Sequence, residues 1–275
     1  MGVLNRDSDV NAYNSCYFYT YKSRDSLREV CLLLNSLIDR FGLQVQSVSD
    51  VENSHSSTVY KCTLLNGENV FLKIPYTKLK WQRELEAYEV LKGRVAIPEM
   101  LDYWSGDDAC PGAFLLSELK GKPLTTDVSP TVAFQVGVLQ GTMHSIRPPE
   151  GKLLTGIQNE FPNWSHFIEK QFYSFAEDVI PLVDEHLYRK DIEKFEEMKQ
   201  QLHPHDGPSF VHMDFRPANI IIDSNQVSGM IDFESVRFGS TEIDFTKLNR
   251  DFLSFNPAFY EAFQEGYKSV RPLID

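Results

Sequence analysis

Residues 210–233 read FVHMDFRPANIIIDSNQVSGMIDF, and the rest of the chain is organised around this stretch. Val211 and the run Ile220, Ile221 and Ile222 are β-formers, and Pro217 interrupts any helix between them. Asp223 to Asn225 is a turn that leads into a third apolar run, Val227 to Phe233. The polar loop between the first two strands carries His212, Asp214 and Asn219, and the third run brings Asp232 beside them at a loop mouth. Two carboxylates and an amide gathered in this way suit phosphoryl transfer. That reaction needs one carboxylate to orient a hydroxyl and accept its proton, and oxygen ligands for the Mg²⁺ that bridges the phosphates.

Outward from the loop, the order of the other motifs agrees with that chemistry. Asn66-Gly67 between two alternating runs, Thr58 to Leu65 and Asn69 to Pro75, predicts a hairpin, with Val45 to Val51 as a preceding strand. Lys73 ends the second arm, where a lysine facing a pocket would neutralise phosphate oxygens. The helix predicted over Trp81 to Lys92 puts Glu84, Leu85, Tyr88 and Leu91 on one side, so Glu84 can reach Lys73. Neither GxxxxGK nor GxGxxG occurs, which removes the P-loop and Rossmann alternatives.

Taken together, His212, Asp214 and Asn219 match HxDxxxxN, and Ile231, Asp232 and Phe233 stand where kinases carry Asp-Phe-Gly. The chain resembles the aminoglycoside phosphotransferases, a family that is itself similar to choline kinase. The resemblance runs over nearly the whole chain from Leu43. It implies that Asp214 is the catalytic base, that Asn219 and Asp232 are Mg²⁺ ligands, and that ATP is the donor with GTP not excluded. It also favours Glu84 over Glu86 as the partner of Lys73. Residues 52–58 would cover the phosphates without a glycine, through Ser54, Ser56 and Ser57, as in the serine-bearing loop of that family. The segment around Ser117 and Leu119 resembles the connector whose backbone holds an adenine ring. Asp244 resembles the aspartate that holds the catalytic loop, and His212 is read as a brace for the same loop.

The fold that follows is α+β and protein kinase-like, with an N-terminal antiparallel sheet plus helix and a mainly helical C-terminal lobe. An N-terminal extension with a docking helix is expected over 1–42, the nucleotide-binding lobe over 43–116, a hinge over 117–124 and the C-terminal lobe over 125–275. Further helices are expected over Val132 to His144, Trp164 to Ser174, Phe175 to Asp184, Asp191 to Leu202 and Asp244 to Tyr267.

With 275 residues and 42% hydrophobic content the chain can bury a large core. It contains no apolar run of membrane-spanning length and no secretory leader at its start, so a cytoplasmic protein is expected. Cys16, Cys31, Cys62 and Cys110 include no CxxC pair and read as reduced packing residues. A net charge of -12 disfavours a nucleic-acid partner and permits a cationic small molecule. By the resemblance, acidic residues between Glu160 and Asp191 occupy the place where the family binds ammonium groups. The leading expectation is phosphate transfer to a hydroxyl of an aminoglycoside or other antibiotic. The alternatives are a metabolic kinase for choline, ethanolamine, an amino alcohol or a sugar, and a non-catalytic kinase-like binder. The presence of Lys73, Asp214, Asn219 and Asp232 together disfavours the last.

Overall fold

Strand alternation builds the N-terminal half. In the computed structural model, which describes residues 24–51, 57–199 and 205–273, the strands β1 (Val45–Asp50), β2 (Ser57–Leu64), β3 (Asn69–Pro75), β4 (Met100–Trp104) and β5 (Ala113–Ser117) form one antiparallel sheet in the order β1-β2-β3-β5-β4. The β2–β3 hairpin turns at Asn66-Gly67, where Gly67 has φ 84. Because side chains alternate, Val70, Leu72 and Ile74 point to one face of β3 and Phe71 and Lys73 to the other. The first face packs with Tyr60, Cys62 and Leu115 against Leu34 and Leu37 of α1 (Arg24–Arg40). Full burial of a side chain such as Leu72 contributes roughly 1.5–3 kcal/mol. Cys62 and Cys110 are buried free thiols in this same core.

The second face meets α2 (Lys78–Leu91), capped by Thr77, whose hydroxyl accepts from the Lys80 N–H at 3.2 Å. Trp81, Ala87, Tyr88 and Leu91 of α2 join Phe114 and Leu116 in a core that continues through the C-terminal half to Phe210, Phe233, Phe252 and Tyr267. α2 therefore belongs to the larger core.

Beyond β5 the chain crosses to β6 (Lys122–Pro123), which pairs with β8 (Ile220–Asp223), and β8 pairs with β9 (Gln226–Met230). Two of the eight residues expected as a hinge, Lys122 and Pro123, are thus a strand of the second half. The β8–β9 turn places Ser224 at φ 49 and Asn225 at φ 63, the left-handed pair of a type I′ hairpin. β7 (Ser209–Val211) pairs with β10 (Arg237–Gly239). The helices are α3 (Pro130–His144), α4 (Trp164–Val179), α5 (Glu185–Lys199), α6 (Ile243–Asp251) and α7 (Pro257–Lys268). α4 runs unbroken through Ser174, where two helices were expected, and a 3-10 turn at Ile180–Leu182 containing Pro181 separates it from α5. The helices expected over Asp244 to Tyr267 are α6 and α7, with Pro257 opening the latter. Among the described residues no helix is long and apolar enough to cross a membrane.

α3 and α7 touch backbone to backbone. A Cβ on Gly137 would lie 2.2 Å from the Phe263 carbonyl, and one on Gly266 would lie 2.0 Å from that of Phe134. Gly137→Ala is expected to destabilise the protein by about 1–3 kcal/mol, measured as a shift in the denaturant midpoint. A neutral result would mean that the two helices slide apart at no cost.

Candidate active site

The catalytic-loop candidate hangs from one buried carboxylate. Asp244, 1% exposed at the start of α6, accepts from the His212 N–H at 2.6 Å and the Met213 N–H at 2.8 Å. His144 Nε2 lies 3.2 Å from the same carboxylate. These bonds hold Met213 at φ 67, a conformation a non-glycine residue adopts only with support from its surroundings. His212 Nε2 donates to the Ile231 carbonyl at 3.1 Å, so the loop is tied to the turn that carries Asp232, itself at φ 74.

His212 is fully buried, and burial pulls its pKa below the usual 6.5 against the opposing pull of Asp244 and Asp232. The unfolded chain takes up this proton first on acidification. Stability from His212 is therefore complete above pH ~6.5 and declines as pH falls toward the lowered value, by at most about 1.4 kcal/mol per pH unit. Denaturant midpoints between pH 7.5 and 5.5 are expected to fall less steeply in His212→Asn than in the native protein. Equal slopes would remove His212 as the source.

Across the loop, Asn219 donates through Nδ2 to the Asp214 carbonyl at 3.0 Å and to Asp214 Oδ2 at 3.1 Å, while the Ile231 N–H donates to the Asn219 carbonyl at 3.0 Å. Asp214, Asn219 and Asp232 are thereby gathered in one place. The amide nitrogen of Asn219 being taken, its Oδ1 is the atom left to face a cation. Asp232 has one oxygen, Oδ1, bonded to Lys73 at 2.6 Å, and its side chain is 34% exposed. Among the described residues no three His, Cys, Asp or Glu side chains form a metal cage. Two hard oxygen donors at an open mouth suit Mg²⁺, which takes few protein ligands and completes its shell with phosphate oxygens and water.

Lys73 also pairs with Glu84 at 2.9 Å and lies 3.9 Å from Glu234, which in turn pairs with Lys80 at 3.0 Å. Burial works against the Lys73 charge, but Asp232, Glu84 and Glu234 outweigh it and hold the ammonium well above the usual lysine range. Burial raises Glu84, with Lys73 pulling the other way. Burial would also raise Asp232, but Lys73 prevails and lowers it. Glu86, on the adjoining side of α2, does something else. Its carboxylate accepts from the N–H groups of Thr155 at 2.9 Å, Gly156 at 3.0 Å and Ile157 at 2.8 Å. Arg83, 5% exposed, donates to the Gly156 carbonyl at 3.1 Å and the Glu234 carbonyl at 2.8 Å. α2 is clamped to the second half of the chain on both flanks.

The remaining expected residues are placed less centrally. Ser54 and Ser56 lie outside the described residues. Ser57 opens β2, 5% exposed and opposite Pro75. The Ser117 N–H donates to the Glu99 carbonyl at 2.9 Å and its hydroxyl accepts from the Glu99 N–H at 2.8 Å, so a ring contact at Ser117 reduces to its carbonyl. Leu119 follows in the connector, beside Glu118, whose carboxylate is held by Lys61 at 2.9 Å and Asn69 at 3.0 Å.

Much of the acidic stretch expected to meet ammonium groups has local partners. Glu169 pairs with Lys199 at 2.8 Å, Glu185 with Arg189 at 2.5 Å, and Asp184 Oδ1 accepts from the Leu187 N–H at the start of α5. Beside Asp214 stand two cations that sequence reading missed: Lys247 Nζ is 2.5 Å from Asp214 Oδ1, and Arg216 Nε is 3.5 Å from Oδ2. Lys247 is 33 positions away on α6, and no local pattern signals that approach.

Comparison with known proteins agrees with the geometry. The model of the phosphotransferase enzyme family matches residues 47–274. The macrolide 2′-phosphotransferase of Brachybacterium faecium superposes with a TM-score of 0.68 at 15% identity, covering 88% of this chain and 84% of that one. The GDP and kanamycin complex of APH(2")-IIia superposes with a TM-score of 0.69 at 16% identity, covering 86% and 82%. A homoserine kinase of Gluconobacter oxydans (strain 621H) is 40% identical over 70 residues, 24% of this chain. That match spans only 22% of the relative's length.

Proposed function

Because the chain belongs to the phosphotransferase enzyme family, we propose that it moves the γ-phosphate of ATP to a hydroxyl of a small molecule, with Asp214 as the group that orients the hydroxyl and accepts its proton. One observation carries this reading: Lys73, Asp214, Asn219 and Asp232, drawn from three separate parts of the chain, meet in adjoining hydrogen-bonded networks. Lys73, buried and held protonated by Asp232 and Glu84, would hold the donor's phosphates. Asn219 Oδ1 and Asp232 would hold Mg²⁺, which offsets phosphate charge when bound. Asp214 would bring the acceptor oxygen into line, so that catalysis is mainly positioning and electrostatics. The carbonyl of Ser117 and the backbone of Leu119 would face the base. Ser57 would lie toward the phosphates. An ATP-dependent activity of this kind would be cytoplasmic.

Two acceptor classes have support. Antibiotics are suggested by the structural neighbours, whose names include macrolide and kanamycin, although likeness at 15–16% identity speaks for the fold alone. A metabolic hydroxy compound is suggested by the segment shared with a homoserine kinase. The deciding assay is Mg²⁺-dependent phosphate transfer from labelled ATP, and in parallel GTP, to aminoglycosides, macrolides, choline, sugars and hydroxy amino acids, with Asp232→Ala as control. Transfer lost in the control supports the reading. Failure of Mg²⁺–ATP and Mg²⁺–GTP even to bind would overturn it.

A further inference from the structure

The two oxygens of Asp214 have different surroundings. Oδ2 accepts from Asn219, the residue read as facing the metal and nucleotide, and Arg216 approaches the same oxygen. Oδ1 instead meets Lys247 at 2.5 Å, so Lys247 and Asn219 hold different oxygens of the same carboxylate. Its side chain is 42% exposed and can reach a ligand. Arg250, one turn further along α6, is close enough to feel the charge of Asp214, and its own partner Asp251 feels Lys247 and Arg216 in turn. The cluster holds three cations against two carboxylates.

A hydroxyl oriented by Asp214 must come within roughly 2.6–3.2 Å of its carboxylate. With Lys247 bonded to the same oxygen, the ammonium then lies about 4–5 Å from the reacting oxygen. An ammonium group on the acceptor would meet a like charge there, whereas an anionic group a few bonds from the hydroxyl would meet its counter-ion.

Resting on the assignment of Asp214 as the hydroxyl-orienting group, we infer that the acceptor is a small hydroxylated anion, its carboxylate two to four bonds from the reacting hydroxyl and paired with Lys247. Lys247 is then a specificity residue that discriminates against polycationic acceptors. No bond to Lys247 forms or breaks: the γ-phosphorus–oxygen bond to the nucleotide is replaced by one to the acceptor oxygen, whose proton goes to Asp214.

The test compares matched triples that differ only in charge. 4-Hydroxybutyrate, 4-hydroxybutyramide and 4-aminobutan-1-ol form one, and the acid, amide and amine forms of glycerate form another. Glycerol 3-phosphate separates a general anion site from a carboxylate site, and kanamycin serves as the polycation. At least tenfold higher kcat/KM for the acids than for their amides or amines is expected. In Lys247→Met the preference should disappear through a raised KM for the acids, with the KM for ATP unchanged, and Lys247→Arg should restore it. Preference for an amine or for kanamycin, an acid preference that survives Lys247→Met, or glycerol 3-phosphate as the only anion used would each overturn the inference while leaving the kinase intact. Transfer to none of the compounds while Mg²⁺–ATP still binds would also count against it. Failure of Mg²⁺–ATP and Mg²⁺–GTP to bind would instead overturn the kinase reading beneath it.

Discussion

Asp214→Asn is expected to lower kcat by about 10²–10⁴-fold while changing the KM for ATP by less than about threefold. The amide has nearly the shape of the carboxylate and can still accept from Asn219, so the loop should keep its form. What it loses is the capacity to take the hydroxyl proton and the ion pair with Lys247. Lys247 is exposed enough to be solvated when its partner is gone, so thermal stability should move little. Steady-state kinetics on the best acceptor, with a melting curve as companion, checks both halves. A variant that keeps kcat within tenfold would move proton acceptance to another group.

The largest loss of stability is expected at Asp244. Asp244→Ala removes the acceptor of the buried His212 N–H and the half-buried Met213 N–H, and leaves His144 without its carboxylate. Unsatisfied buried donors cost about 1–3 kcal/mol each, and breaking a buried charged contact costs about 3–5 kcal/mol. Unfolding free energy should drop by about 3–5 kcal/mol and Tm by about 6–15 °C, with activity falling further because Met213 is no longer held in its left-handed conformation. Asp244→Asn, which keeps one acceptor oxygen, should lie between the two. Calorimetry of all three proteins orders them. A loss under about 1 kcal/mol for the alanine variant would mean that the His212 bond to Ile231 holds the loop unaided.

What was legible in the sequence was local. Asn66-Gly67 dictates its own turn, β3 follows its alternation from Asn69 to Pro75, and the spacing of His212, Asp214 and Asn219 lies within one loop. The meeting of Lys73 and Glu84 was readable because a strand end and the next helix are neighbours by connectivity. β4 and β10 were not legible: β4 is an edge strand with Leu101 and Tyr103 exposed, and β10 is three residues long. The break expected after Ser174 failed because no proline or glycine stands there, whereas Pro181 does end the region. The partners of Glu86, some 70 positions away in a loop, and the approach of Lys247 to Asp214 arise only from packing. Charge was the least legible property of the site. The acids of α4 and α5 looked available in the sequence, but several are joined to lysines and arginines one helical turn or one helix away.

The clamp on α2 bears on how such an activity could be controlled. Moving Glu84 away from Lys73 would require α2 to shift, and that shift would break three N–H bonds to Glu86 and two from Arg83. At about 1.5 kcal/mol or more for each bond to a charged group, the displaced arrangement would hold well under ~1% of molecules. A helix so fastened leaves no resting form for a signal to release. A kinase built this way would need no activating shift of α2 to bring Glu84 to Lys73.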